Sequence, residues 1–373
     1  MKGIDIFHQR NHFQQMLKAT ENVKQLEGQA ADAVQALLRD VPVIRTFAVE
    51  SAPPGSYVDL VVRLNLDGHE RLLVCEVKSI GQPRHVRAAL LQLQKVASSF
   101  DPPATPIFIA PYLSTDAQAL CREFDVGFVD LVGNARVTFD SVFIERQVDA
   151  KPPAVQRSLK SIFKPKSAQV LRVLLREPAR AWRVADLAEA SGVSLGHVSN
   201  VRGELVDREL AEVADDGLRL SHPDRLLDAW REAYEPPLGE RVEFYTTLHG
   251  QPLDHALRSV LHMEDSGSHA VLASFSAAHW LSPYGRVPTQ YCYADAGGLV
   301  ALRSALKMAP ARSGANVVVT VLKDHGVFLD AVEPAPGVFC TSPVQTYLDL
   351  AFAGERGAEA ADHLRQELLA WRK

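Results

Sequence analysis

Asp59, Glu76 and Lys78 are the residues of this chain whose types and spacing most directly suggest chemistry. Two carboxylates converging from paired strands can hold Mg²⁺ through oxygen ligands and leave positions for a phosphate and a water. A lysine beside them can orient or deprotonate that water, or stabilise charge as a phosphodiester breaks. The elements that must position them are legible. Tyr57 to Leu66 is an alternating, β-branched run, Asp67-Gly68 is a hairpin-turn dipeptide, and Leu72 to Val77 is a second apolar run. Asp59 and Glu76 are thereby predicted on neighbouring antiparallel strands. Glu76 and Lys78, two apart, share one face. After a Gly-Gln-Pro break, Val86 to Val96 repeats apolar residues at helical spacing. A solvated surface pair would also account for Glu76 and Lys78, although Leu72-Leu73-Val74-Cys75 places Glu76 at the end of a buried stretch.

Asp followed by Glu-Val-Lys at the end of the next strand resembles the PD-(D/E)xK nuclease superfamily, over roughly residues 20–147. The resemblance implies a restriction-endonuclease-like mixed sheet with helices. In it Asp59 and Glu76 are candidate catalytic residues and Mg²⁺ ligands, and Lys78 is the activator. A supporting glutamine comes from the following helix, where Gln92 or Gln94 stands, and a further acid from the preceding helix, where Glu27 or Asp32 stands. The proline of the motif's name is missing, since Val58 precedes Asp59. Many members of that fold keep the scaffold without catalysis, so both a live site and a retained scaffold fit.

At 373 residues the chain has room for two or three domains. Hydrophobic content of 47% and charged content of 23% are those of an ordinary globular protein. The net charge of −5 excludes a polycation, so any nucleic-acid contact must come from a local patch. Cys75, Cys121, Cys292 and Cys340 are widely spaced, which predicts reduced thiols in a cytoplasmic protein. The start MKGIDIFHQRNHFQQ is too polar for a signal peptide, and no apolar run is long enough to span a bilayer, so no membrane partner is expected.

Taken in order, residues 5–26 and Ala30 to Leu38 read as two helical stretches, and Val43 to Glu50 as a strand. The strand pair and helix follow. Thr105 to Tyr112 is a short strand, and Ser114 is an N-cap for a helix from Ala117 to Phe124. Phe128 to Leu131 and a hairpin-like Ala135 to Glu145 close a mixed sheet flanked by helices. Ala110-Pro111-Tyr112, Ser114 and Gly127-Phe128-Val129-Asp130-Leu131-Val132-Gly133-Asn134 resemble a stretch of bacterial regulators related to the AbiEi antitoxin of type IV toxin–antitoxin systems. Physically, Gly133 and Asn134 tolerate positive φ in a tight turn. Asp130 either caps that turn or approaches the carboxylates.

Residues 149–166 shift to proline and basic residues and read as a linker. Lys151 to Arg183 holds nine Lys/Arg against one acid, whereas Val184 to Glu235 holds five Arg against twelve acids. The basic half, including Lys164 and Lys166, could track a phosphate backbone. Ser167 to Arg176 and Ala185 to Ala190 are helical, Ser191 to Ser194 is a tight turn, and Leu195 to Glu209 is a third helix. Leu210 to Val213, Asp215-Asp216-Gly217 and Leu218 to Leu220 read as a wing. The pattern is similar to winged helix-turn-helix domains. That resemblance implies duplex DNA as partner, with Ser194, His197, Ser199, Asn200 and Arg202 on or near the exposed N-terminal face of the recognition helix. Asn200 could pair with adenine and Arg202 with guanine, while Arg219 and the preceding basic stretch would meet phosphates.

Beyond Pro236-Pro237, Val242 to Thr247 reads as a strand, Pro252 to Val260 as a helix, and Ala270 to Leu281 as a small-residue helix. Val287 to Ala294, Asn316 to Val321 and Gly326 to Asp330 read as strands, and Ala294 to Gly298 as a turn. A final helical region opens at Cys340. Ser342-Pro343, Gln345, Tyr347 and Asp349-Leu350 resemble the C-terminal domain of AbiEi-type antitoxins. A polar cap with proline in the first turn explains Ser342-Pro343 and says nothing of Gln345, Tyr347 or Asp349. Those antitoxins usually place the winged helix first, whereas here a nuclease-like region precedes it. His249, His255, His262, His269 and His279 show no ligand spacing and are expected to be ordinary helix and loop residues.

The expectation is therefore an α+β and α/β multidomain chain. It comprises a nuclease-like domain (1–148), a basic linker (149–166), a winged helix-turn-helix (167–235) and an AbiEi-like α+β domain (236–373). The functional expectation is a DNA-binding transcriptional regulator that needs no cofactor to bind DNA, with a cognate toxin or a second copy of itself as protein partner. The alternative is a Mg²⁺-dependent endonuclease targeted by the winged helix.

Overall fold

A computed structural model describes residues 4–53, 55–66, 68–148, 162–261, 268–285 and 288–371, with side chains described from residue 22 onward. Asp67 of the expected hairpin turn, residues 149–161 of the expected linker, and His262 lie outside the described residues. The chain divides into two compact units, Met1–Arg157 and Ser158–Lys373.

The first unit is built on a seven-stranded mixed sheet whose strands follow one another in sequence order. Helix α1 (Ile4–Arg39) is one continuous element where two were expected. Gly28 sits inside it with open space where a Cβ would stand, and a lone glycine weakens a helix by about 1 kcal/mol without breaking it. Ala30, Val34, Leu37 and Leu38 recur at helical period and pack on one face of the sheet with Leu60, Val62, Leu64, Leu73 and Cys75. Strands β1 (Ile44–Ser51), β2 (Leu60–Leu66) and β3 (His69–Val77) are antiparallel neighbours. The crossover helix α2 (Pro83–Ala97) returns the chain to β4 (Thr105–Ala110), which pairs in parallel with β3. Helix α3 (Thr115–Glu123) is capped by Ser114, whose side chain accepts from the Ala117 N–H. It leads to β5 (Gly127–Asp130), parallel to β4, and to the hairpin β6 (Ala135–Phe139) and β7 (Val142–Arg146). Val86, Leu90, Leu93 and Phe108 fill the opposite face from α1.

The second unit begins with α4 (Pro165–Arg176), α5 (Val184–Ser191) and α6 (Leu195–Asp207). A hairpin of β8 (Ala211–Ala214) and β9 (Gly217–Leu220) follows, then α7 (Pro223–Glu232). Trp182 adds an isolated bridge to Leu218, with both backbone hydrogen bonds formed. Gly217 has φ +140°, and a Cβ there would lie 2.6 Å from the Trp182 carbonyl, so only glycine fits. Beyond α7 a second seven-stranded mixed sheet forms, in the order β13-β10-β14-β12-β11-β16-β15. Its strands are β10 (Gly239–Tyr245), β11 (Ala270–Leu272), β12 (Gln290–Ala294), β13 (Ala309–Pro310), β14 (Val317–Leu322), β15 (Val332–Ala335) and β16 (Val338–Cys340). Helices α8 (Gln251–Arg258), α9 (Ser274–Leu281), α10 (Ala296–Ala305), α11 (Pro343–Phe352) and α12 (Glu355–Leu368) complete the unit.

Three readings of this region change. Ala270 to Leu281 is a strand followed by a helix, because β11 must insert between β12 and β16. The Ala294–Gly298 turn is instead the start of α10, with Asp295 as its cap. Gly326 to Asp330 forms no strand; a 3₁₀ turn spans His325–Val327, capped by Asp324. Helices α4–α7 share one apolar core with α11 and α12, in which Leu171, Leu174 and Trp230 join Tyr347, Leu348 and Leu364.

Candidate functional site

The charged cluster of the first unit assembles at the end of β3. Leu60 pairs with Cys75, and Asp59 N–H donates to the Cys75 carbonyl, so Asp59 stands across from Glu76. Val77 N–H donates to Asp59 Oδ2 at 2.7 Å, which turns that carboxylate onto the strand end. Lys78 forms an ion pair with Glu76. Leu73, Cys75 and Val77 point to the α1 face, so by alternation Glu76 faces the α2 side with Val74. Burial pushes the Glu76 carboxyl above its usual range, Lys78 opposes the shift, and Asp59 adds to it. The three residues therefore interact as one electrostatic group, in which the two carboxylates are the groups that could hold a hard divalent cation.

The other residues expected there lie elsewhere. Gln92 is exposed on α2, whereas Val86, Leu90 and Leu93 are buried. Gln94 donates its amide to the Phe124 carbonyl and so ties α2 to the end of α3. Asp32 lines a cleft on α1 together with Asp130, Asn134 and Arg146. Asp130 is a turn cap. Its carboxylate accepts five hydrogen bonds, from the backbone of Leu113, Val132, Gly133 and Asn134 and from the Asn134 amide. The Asn134 side-chain oxygen accepts from Val148 N–H, so this phrase of the sequence builds a corner.

In the second unit the exposed face of α6 is narrow. Val198, Val201 and Leu205 are buried, leaving Gly196, Ser199, Asn200 and Gly203 outward at the i, i+3, i+4, i+7 positions, with Leu195 also exposed in the first turn. Ser194 caps the helix, accepting from the His197 N–H at 3.4 Å. The His197 ring lies 3.0 Å from Ser167 Oγ at the start of α4, so it braces two helices. Arg202 is half-buried at the side of the exposed face. Arg219 donates to Asp216 at 2.9 Å within the hairpin. Lys164 is exposed, and Lys166 pairs with Asp324 at 3.5 Å.

The role of Gln345, Tyr347 and Asp349, which local capping does not explain, is tertiary. Asp349 is buried and accepts from the hydroxyls of Tyr234 and Tyr293 and from the Gln345 amide. Burial raises its carboxyl to about 6, against the lowering effect of Tyr234, Tyr293, Gln345 and Arg172. Tyr347 is fully buried, and its hydroxyl accepts from Arg231 at 3.2 Å and Arg365 at 3.4 Å. Arg172 of α4 donates to Gln345 Oε1 at 3.3 Å, to Asp330 at 2.9 Å and to the Gly326 carbonyl at 2.6 Å. These residues join the helical segment to α11 and to the 324–330 segment.

Residues 219–370 match a family model described as "Transcriptional regulator, AbiEi antitoxin, Type IV TA system". The AbiEi-like span thus starts in β9, and the resemblance seen at Ser342–Leu350 falls inside it. It takes in α7, the second sheet and the Gln345–Tyr347–Asp349 joint, and it leaves out α4–α6 and the first unit. No curated protein and no solved structure matches the chain. Among the described residues, no helix is long and apolar enough to cross a membrane.

Proposed function

We propose that the protein is a DNA-binding transcriptional regulator of the AbiEi antitoxin type, in which α4–α6 and the β8–β9 hairpin act as a winged helix. The observation that carries this reading is the outward face of α6. Beyond the exposed Leu195 of the first turn, two glycines, a serine and an asparagine make it slim enough to approach base edges in a major groove, and Ser194 fixes the helix start. The match of residues 219–370 to an antitoxin family model supports the regulatory role, with a cognate toxin protein as a further partner. Asn200 and Arg202 are the base-reading side chains of this proposal. Lys164 and Lys166 contact phosphates, Lys166 after exchanging Asp324 for a phosphate. Arg219 and His197 position their own elements.

Selection from a randomised duplex pool, followed by titration of the enriched duplex, tests this. Asn200→Ala or Arg202→Ala should each weaken the enriched duplex by about 1–3 kcal/mol and relax preference at one position. Absence of any enriched sequence, or unchanged affinity in both variants, would refute the winged-helix assignment.

A second reading rests on the convergence of Asp59, Glu76 and Lys78. It makes the first unit a Mg²⁺-dependent endonuclease, with Asp59 and Glu76 as oxygen ligands. Bound Mg²⁺ would supply the Lewis acid for phosphodiester hydrolysis. Lys78 would orient the attacking water or offset developing charge. Supercoiled plasmid incubated with Mg²⁺ or Mn²⁺ discriminates the two. The regulator reading expects intact plasmid, whereas cutting that Glu76→Ala and Lys78→Ala abolish would establish the nuclease.

A further inference from the structure

Three residues far apart in sequence, and none of them expected as ligands, meet beyond the ends of three neighbouring inner strands of the second sheet. β11 and β12 are antiparallel with Ala270 opposite Ala294, so His269 and Asp295 are brought side by side. β14 runs parallel to β12, with Val321 beside Ala294, so the chain leaving β14 emerges at the same end of the strands and carries His325 there. The crevice outside the carboxyl ends of parallel strands is a recurrent place for ligands in α/β sheets. Here one ligand atom from each of His269, Asp295 and His325 lies within 4.8 Å of the other two.

The local contacts fix two of the three. Asp295 Oδ1 accepts from Gly298 N–H at 2.7 Å, and Oδ2 from His269 N–H at 3.0 Å, with His269 Nδ1 at 2.7 Å. Phe328 stacks on the His269 ring at 5.4 Å and meets the His325 ring edge-on at 5.9 Å, so one aromatic wall orients both imidazoles. An Asp–His hydrogen bond alone would explain His269 and Asp295. It does not by itself place a second imidazole there, that of His325, whose ring lies 5.7 Å from the His269 ring.

We propose that His269, Asp295 and His325 form a binding site for a first-row divalent transition metal of the Zn²⁺ class. Two imidazoles and one carboxylate select such ions over Mg²⁺ and Ca²⁺, which prefer oxygen alone, and leave a fourth tetrahedral position for water. The site has a mechanical consequence. Asp324, Gly326 and Asp330, which flank His325, are held by Gln169 and Arg172 of α4. A cation joining His325 to the end of the sheet would therefore clamp the segment against which α4 rests.

The test uses metal-stripped, untagged full-length protein and Zn²⁺ alone, measured by calorimetry, with Co²⁺ absorption reporting the ligand set. Wild type and His255→Ala, a change at an exposed histidine of α8, should each bind Zn²⁺ at the same affinity. His325→Ala should bind more than about tenfold more weakly. Zn²⁺ should raise the melting temperature of wild type more than that of His325→Ala. His325 is exposed, so the stripped variant should melt with stripped wild type; if it does not, His269→Gln serves as the second variant under the same criteria. Lack of stoichiometric binding, wild-type affinity in His325→Ala or His269→Gln, or loss of binding in His255→Ala would overturn the proposal.

Discussion

Replacing Arg172 by methionine should uncouple the helical segment from the rest of its unit. Arg172 is 3% exposed and its ion-pair partner Asp330 is 6% exposed, so neither charge has water to fall back on. Arg172→Met keeps the aliphatic volume but strands the Asp330 carboxylate, and breaking a buried pair by removing one member costs about 3–5 kcal/mol. The Gly326 carbonyl and Gln345 Oε1 lose their donors as well, adding on the order of 1 kcal/mol each. The expected loss is roughly 5 kcal/mol, comparable to the whole stability of many domains. All four tryptophans, at 182, 230, 280 and 371, fall in the second unit. Tryptophan fluorescence in urea therefore reads this unit alone. Wild type should unfold in one transition, and Arg172→Met should shift it down or split it. Arg172→Met/Asp330→Leu should recover most of the loss, because it removes both charges. A single-variant loss under about 1 kcal/mol, or strictly additive effects in the cycle, would refute the argument that this pair holds the joint.

Two further outcomes follow from the same packing. Asp349 has its folded-state carboxyl raised to about 6 from an ordinary 3.8. The folded state thus holds the proton more tightly than the unfolded chain. This contribution is fully present below the unfolded value and is lost as pH rises through about 6, by up to about 3 kcal/mol. Urea unfolding at several pH values should show wild type gaining stability relative to Asp349→Asn on acidification from pH 7 to 4; a constant difference would sink the assignment. Gly217→Ala should destabilise the hairpin by about 1–3 kcal/mol, since φ +140° strains any side chain and the new Cβ meets the Trp182 backbone. Faster amide hydrogen exchange at Trp182 and Leu218 is the readout, and unchanged protection there would refute it.

Much of the local structure was legible because it rests on near neighbours. The period-2 run at Leu60–Leu66, the serine caps at 114 and 194, and the buried Val198, Val201 and Leu205 stripe each follow from residues a few positions apart. Placing Asp59 opposite Glu76 needed only a hairpin register. Where neighbours competed, the reading failed. Ala270–Leu272 is apolar in either a helix or a strand, and only a slot between β12 and β16 decided for a strand. Likewise nothing near Gly28 told whether α1 would continue.

The sequence by itself determined the serine-capped helix starts at Thr115 and Leu195, the hairpins and the charged trio at the end of β3, because short-range sterics and capping act within a turn or two. Tertiary structure alone decided the rest. Gln345, Tyr347 and Asp349 became a joint only when Arg172, Arg231 and Tyr234 were carried to them from more than a hundred residues away. His269, Asp295 and His325 became neighbours only when three strands lined up in one sheet. Their physical reason is common: a buried charge or a ligand set is defined by what surrounds it in space, and strand order, which single residues do not encode, sets those surroundings.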